Sequence, residues 1–239
     1  MAEFDFPINR DGGITRIDLG RPDEGNAQTR GMMRALAETI RAEAAKPDAR
    51  VLVLTARGAH FCRGRDGKGE TTEGLKPHEV RVQMMGAVLG VYEAINASPI
   101  PVVARVHAPA IGFGAALGGG CDITLASDAS KFSFSEIKHG IPPTLAMAAV
   151  MKKVNQKALA WLIFSGGDVT PQEGVTFGLV SKVYAAADFE RETDTFLDEL
   201  ASRPRLVLET IKKFLLGAQD MSAAMQSEYA GTLLALVRS

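Results

Sequence analysis

The segment Ala110–Ile123 reads AIGFGAALGGGCDI. It carries five glycines (Gly112, Gly114, Gly118, Gly119 and Gly120) ahead of an acid, Asp122. Glycine lets a backbone approach a ligand closely, and the first N–H groups of a helix have no acceptor within that helix. A glycine-rich turn between strand and helix can therefore present main-chain N–H groups to an anion, with the positive end of the helix dipole behind them. One donor rarely suffices for an oxyanion, so a second loop is needed. GAHFCRGRD (58–66), which also follows an apolar run, is the obvious partner. Two other readings of the glycines stand beside this one. They could allow a helix to pack closely on a strand, or they could cradle a nucleotide phosphate. The latter requires G-x-G-x-x-G. Here Gly112-Phe113-Gly114 is followed by Ala115, Ala116 and Leu117, so the third glycine arrives one residue late.

Other reactive groups are sparse. His60 and Cys62 flank the second loop, but a Cys–His nucleophile pair needs a third residue to orient it. No group of His, Cys, Asp and Glu has metal-ligand spacing, so no metal is expected. Arg63, Arg65 and Lys68 make a basic loop suited to phosphates or to plain solvation, and His139 in IKHGIPP reads as a turn residue.

These residues need a scaffold. The 239 residues suffice for one large domain or a core with a helical appendage. A net charge of −1 gives no reason to expect nucleic acid or a membrane surface as partner. Two cysteines make no disulfide framework, and no stretch reaches the roughly 18 apolar residues of a membrane span. The N-terminus MAEFDFPINRDGG lacks the basic-then-apolar pattern of a leader. The expected setting is cytoplasmic.

Apolar alternation around Asp11-Gly12-Gly13 predicts a hairpin over residues 4–19. Asn26 reads as the N-cap of a helix over 27–45. Arg50–Ala56 and VVARVHA (102–108) read as strands, 57–74 as loop and 78–97 as helix, with Tyr92 on its apolar face. Lys131–Phe134 reads as a short strand and 144–164 as helical. Thr170-Pro171-Gln172-Glu173 combines a capping box with a proline at the first helical position, and Gly178 closes that helix. LVSKVY (179–184) is a further strand. From Asp188 onward the pattern is helical, over about 189–201, 205–216 and 221–237.

Five segments, in order and at matching spacing, resemble the crotonase (enoyl-CoA hydratase/isomerase) superfamily. They are RPDEGNA (21–27), HFCRGRD (60–66), PVVARVHAPAIGFG (101–114), CDITLASDASKFSFSEIKHGIPP (121–143) and SGGDVTPQEGVTFGLVSKV (165–183). The resemblance implies an α/β fold, a crotonase-like spiral of ββα units over 1–187. A C-terminal helical region over 188–239 would serve oligomerisation and partly cover the site. It implies an acyl-CoA thioester substrate, no cofactor beyond the coenzyme A of that substrate, and a homotrimer or dimer of trimers. It places the two oxyanion N–H groups on Arg65 and Phe113, and makes Glu136 the catalytic acid/base. Gly25 and Ala27 match the adenine-proximal segment. Arg63, Gly64, Gly112, Gly114 and Ala116 complete the substrate-binding set.

Many hydratases of this superfamily carry a glycine triplet followed by Cys and a catalytic Glu, and GGGCD (118–122) looks like that motif. Matching it to Asp122 needs compensating gaps, whereas the ungapped register puts the oxyanion turn at Gly112–Gly114. In that register Ala116 stands where hydratases keep their first glutamate, and Asp122 is structural, hydrogen-bonded near the helix end. One carboxylate suffices to move a double bond, so isomerisation leads and hydration follows. Hydrolysis of an acyl-CoA or β-diketone, or acyl-CoA binding with little turnover, are the alternatives.

Overall fold

The computed structural model describes residues 4–68 and 70–238. The leader reading at residues 1–3 and the loop reading at Gly69 lie outside the described residues. The strands are β1 (Ile8–Asp11), β2 (Ile14–Asp18), β3 (Val51–Thr55), β4 (Val102–Val106), β5 (Ala110–Ile111), β6 (Ile123–Ser127), β7 (Phe132–Ser133), β8 (Asp168–Val169) and β9 (Lys182–Tyr184). Six of them form one sheet in the order β1-β2-β3-β4-β6-β9, antiparallel at β1–β2 and parallel thereafter. The remaining three form a small sheet, β5-β7-β8.

The β1–β2 hairpin turns on Gly12 and Gly13, both at positive φ (58° and 85°), which a two-residue turn joining twisted strands requires. Parallel strands covered on both faces read as unbroken apolar runs, and successive side chains point to opposite faces. RVLVLTA behaves in this way. Leu52 and Leu54 enter the larger core, while Val51 and Val53 enter a smaller one on the other face.

The larger core is closed by α1 (Arg30–Ala44), by α3 (Gly86–Ala97), which follows the single turn α2 (Pro77–Val80) and a π-helical stretch over Arg81–Met85, and by α4 (Phe113–Gly120). Then come α5 (Thr144–Val150), α6 (Gln156–Ser165), α7 (Pro171–Phe177), α8 (Phe189–Ala201), α9 (Arg205–Gly217) and α10 (Ala223–Arg238). Leu197 and Ala201 of α8 fill the smaller core against Val51, Val53, Val103 and Leu125.

Three local expectations are corrected. Asn26 is not the N-cap of α1, because Thr29 takes that place and accepts from Met32 N–H. Asn26 instead sits at φ 55°, fully buried. Its side chain donates to the carbonyls of Arg57 and His60 at 2.8 Å and accepts from Arg21 N–H. The helix expected over 78–97 is interrupted by its π-helical stretch. That over 144–164 breaks at Met151–Asn155, where Asn155 caps α6 by accepting from Ala158 N–H. The capping box at Thr170–Glu173 and the Gly178 stop of α7 form as expected.

Candidate active site

β5 leads into α4 through Gly112, whose φ of 54° and ψ of −117° lie outside the regions open to L-residues. Its N–H donates to the Ser133 carbonyl at 2.7 Å, tying the turn to β7. Phe113 is the first residue of α4, so its N–H has no acceptor within the helix. The second glycine loop packs directly against this turn. A Cβ on Gly114 would fall inside the Cys62 carbonyl, and one on Gly64 would sit 3.1 Å from the Ile111 carbonyl oxygen and 3.8 Å from the Phe113 nitrogen. Ile111 N–H donates to the Cys62 carbonyl at 2.9 Å, which locks the two loops together. Glycine at 64 and 114 is thus dictated by contact between backbones, and at 112 by its dihedral angles and the Glu136 carboxylate beside it.

The loop carrying Arg65 is clamped from its other side by Gln28, a residue that sequence reading passed over. Gln28 N–H donates to the Gly64 carbonyl at 3.0 Å and its carbonyl accepts from Asp66 N–H at 2.8 Å, leaving Arg65 between the two bonds. Arg63 N–H donates to the Gly25 carbonyl at 2.9 Å, and the Arg63 side chain lies across the face of Gly25, where a Cβ would meet it. The structure therefore brings Gly25, Arg63, Gly64, Arg65 and Gly112–Gly114 into one contiguous cluster. Ala27 is half-buried beside it, its carbonyl held by the Arg21 guanidinium at 3.0 Å. Ala116 is fully buried on α4, one turn beyond Phe113, and brings no polar side-chain atom.

Glu136 lies in a 3-10 turn, Ser135–His139, directly after β7. Its Oε1 is 3.0 Å from the position a Cβ would take on Gly112, so the carboxylate borders the turn that presents Phe113 N–H. Oε2 is buried without a hydrogen-bond partner among the described residues. Burial pushes the Glu136 pKa up, against an opposing hydrogen bond from its own backbone N–H. A carboxylate desolvated in this way is a better proton acceptor near neutral pH than a solvated one.

Other side chains sort clearly. Burial drives the Cys62 thiol up to about 12, so it is no thiolate nucleophile, and burial followed by the Arg63 charge lowers His60. His139 is exposed. In the basic loop, Arg63 and Lys68 are exposed, and Arg65 lies 3.7 Å from Glu70, which also pairs with Arg30 at 2.7 Å.

Asp122 stands at the far end of α4. Its Oδ2 accepts from Val102 N–H at 2.8 Å and pairs with the buried Lys212 at 2.7 Å. Lys212 also donates to the carbonyls of Ile95 and Ile100, and burial lowers its pKa while Asp122 opposes that shift. The glycine triplet before it is a packing surface. Side chains there would meet Val106 at Gly118, Leu179 at Gly119 and Ala149 at Gly120.

Two cavities lie on this side of the molecule, and only the first reaches the Glu136 turn. One of about 560 Å³ begins at Ile137 and is walled by Pro142, Met147, Leu159 and Ile163. The other, about 970 Å³, lies between Glu93, Thr144, Lys152 and Leu216.

Known proteins resemble this chain over most of its length. The rat enoyl-CoA hydratase domain-containing protein 3, a mitochondrial protein, is 31% identical over 216 residues, covering 89% of this chain and 71% of its own length. Its human counterpart is 30% identical, covering 82% and 64% respectively, so this chain spans about two thirds of the length of these relatives. An enoyl-CoA hydratase of Mycobacterium smegmatis superposes with a TM-score of 0.90 at 27% identity, over 97% of this chain and 90% of that one. The human protein's crystal structure gives 0.89 at 26% identity, over 96% and 90%. These likenesses bear out the crotonase-type α/β fold with its C-terminal helices. With the enoyl-CoA hydratase/isomerase family model matching residues 9–235, the chain belongs to that family of acyl-CoA-processing enzymes.

Proposed function

We propose that this enzyme stabilises the enolate of an enoyl-CoA thioester with the N–H groups of Arg65 and Phe113, and that Glu136 moves the proton. The observation that carries this reading is the placement of a buried, partly unpartnered carboxylate against Gly112, next to the Phe113 N–H. Two main-chain donors aimed at the thioester oxygen lower the barrier to enolate formation, because the negative charge develops there. In isomerisation Glu136 takes a proton from C2 of a 3-enoyl thioester and returns it at C4. The electron pair of the C2–H bond becomes the new C2=C3 bond, the C3=C4 pair forms the new C4–H bond, and Glu136 is regenerated. This needs one carboxylate, and Ala116 offers no second. Hydration of a 2-enoyl thioester is the second reading, favoured by the buried Glu136 Oε2, which has no hydrogen-bond partner among the described residues and is free to accept from a water.

The apolar cavity beginning at Ile137 would take the acyl chain, and Gly25, Ala27 and Arg63 would meet the coenzyme A. No cofactor beyond that coenzyme A is required. The apolar exposure of Leu206, Ile211, Leu215, Met225, Leu234 and Leu236 supports a homotrimer, or a dimer of trimers, built through the C-terminal helices. Sedimentation velocity would measure that state. The unpaired, buried Cys62 and Cys121 support a reducing compartment, which we take as the cytoplasm. The test of function is incubation with 2-enoyl-, 3-enoyl- and 3-hydroxyacyl-CoA esters of several chain lengths, read by mass spectrometry and absorbance. An unchanged mass with gain of the conjugated-enoyl absorbance marks isomerisation, and a gain of water marks hydration. Release of free coenzyme A marks hydrolysis. No change in any ester would remove Glu136 chemistry altogether and leave acyl-CoA binding.

A further inference from the structure

Tyr92 is one of the buried side chains that packing alone does not explain. Its ring is 6% exposed and stacks on Phe113 with centroids 6.0 Å apart and planes 26° from parallel. Its hydroxyl is buried with no hydrogen-bond partner among the described residues. A phenylalanine would fill the same space without the cost of an unmade hydrogen bond. The other unpartnered polar atom bordering this turn is Glu136 Oε2, whose carboxyl group lies against Gly112, the residue before Phe113. The Tyr92 ring thus packs on the Phe113 ring from α3, while the Glu136 carboxylate packs on the adjacent Gly112 from the 3-10 turn after β7. The titratable groups that face the phenol are Glu136 and Cys62, and they raise its pKa together with burial, which is the larger cause. The Cys62 thiol is already engaged, accepting from Gly64 N–H at 3.4 Å and contacting its carbonyl at 3.6 Å.

A buried donor and a buried acceptor that border the same turn suit an occupant able to accept from one and donate to the other. Water meets that description, as does the hydroxyl of a 3-hydroxyacyl group. We propose that Tyr92 is a second catalytic residue, its O–H holding the reacting water against Glu136 and so replacing the carboxylate that Ala116 does not provide. The proposal rests on the reading of Glu136 as the acid/base. In the step, Glu136 takes a proton from the water as its oxygen bonds to C3 of a 2-enoyl thioester. The C2=C3 electron pair shifts to form the enolate, and C2 then takes the proton back from Glu136. One water is added across the double bond and the site returns to its starting state. Tyr92 donates its hydrogen bond throughout and stays protonated.

The experiment compares wild type with Tyr92→Phe in two ways. With 2-enoyl-CoA esters, kcat for hydration should fall roughly 10- to 100-fold, as expected for the loss of a hydrogen bond to a group gaining charge, with KM little altered. The thermal midpoint should change little, because the hydrogen bond that is lost runs to a held water and not to another part of the protein. Independently of turnover, a carbon-13 NMR titration of labelled Glu136 in the resting enzyme should show a higher midpoint in Tyr92→Phe. The phenol-held water stabilises the carboxylate, and the variant loses it. Equal kcat, or an unshifted Glu136 midpoint, overturns the role of Tyr92. A wild type that isomerises 3-enoyl esters but never adds water also overturns it and leaves the Glu136 reading intact. A wild type inactive on every ester overturns the Glu136 reading, and the NMR comparison still decides whether Tyr92 holds a water there.

Discussion

Replacing Glu136 by glutamine tests the chemistry with the least disturbance of shape. The amide keeps the volume of a side chain lodged against Gly112, but it can neither accept nor return a proton. Loss of a positioned general base costs roughly 10²–10⁴ in rate, about 3–5 kcal/mol of barrier. Stability should move the other way. Burial raises the Glu136 pKa in the folded state above its ordinary value of 4.5, so the folded protein holds that proton more tightly than the unfolded chain does. The stability associated with the protonated form is complete at low pH and is lost as pH rises from the unfolded value through the folded one. Glutamine never ionises and escapes that loss. At about pH 8 the variant should therefore melt at or above the wild-type temperature while kcat collapses. The same shift places the acid limb of kcat/KM above the ordinary carboxylate range, since activity needs the ionised form. The assay pairs a pH profile on the active ester with thermal melts at two pH values. Near wild-type turnover in Glu136→Gln, or an acid limb at or below 4.5, would refute the reasoning.

Gly112→Ala should lower kcat at least about tenfold and stability by about 1–3 kcal/mol, because the backbone sits outside L-residue space and the new methyl would press on Glu136; kinetics and melts together check this. Gly114→Ala should cost more in stability than in chemistry per folded molecule, since its methyl would collide with the Cys62 backbone, and denaturant titration measures it. Asp122→Asn should leave kcat within about twofold of wild type and cost about 2–4 kcal/mol, because it strips the buried Lys212 of its counter-charge; abolished turnover in a folded Asp122→Asn would restore Asp122 as a catalytic acid.

Where the governing interactions lie within a few residues, the sequence carried the answer. The Thr170–Glu173 capping box, the Gly12-Gly13 turn, the apolar run of β3 and the three C-terminal helices are all marked by residue patterns within one short segment, and they formed as read. The strand-to-helix turn at Gly112 was also legible, and α4 runs from Phe113 to the end of the glycine triplet.

Tertiary structure decided the rest, because the deciding partner sits far along the chain. Asn26 has an ordinary capping side chain, but the carbonyls of Arg57 and His60 capture it, and α1 starts at a different cap. Asp122 looked like a hydrogen-bonding helix terminus. Only folding supplied Lys212, ninety residues later, and made it half of a buried ion pair. Tyr92 has the periodicity of a core residue, and no local pattern marks its hydroxyl as unpartnered. That property exists only once α3, the Gly112 turn and the strand leading to Glu136 converge. Periodicity and capping are local and can be read from spacing, whereas a proton-transfer site is defined by which distant polar atoms are left facing one another after the backbone has satisfied itself.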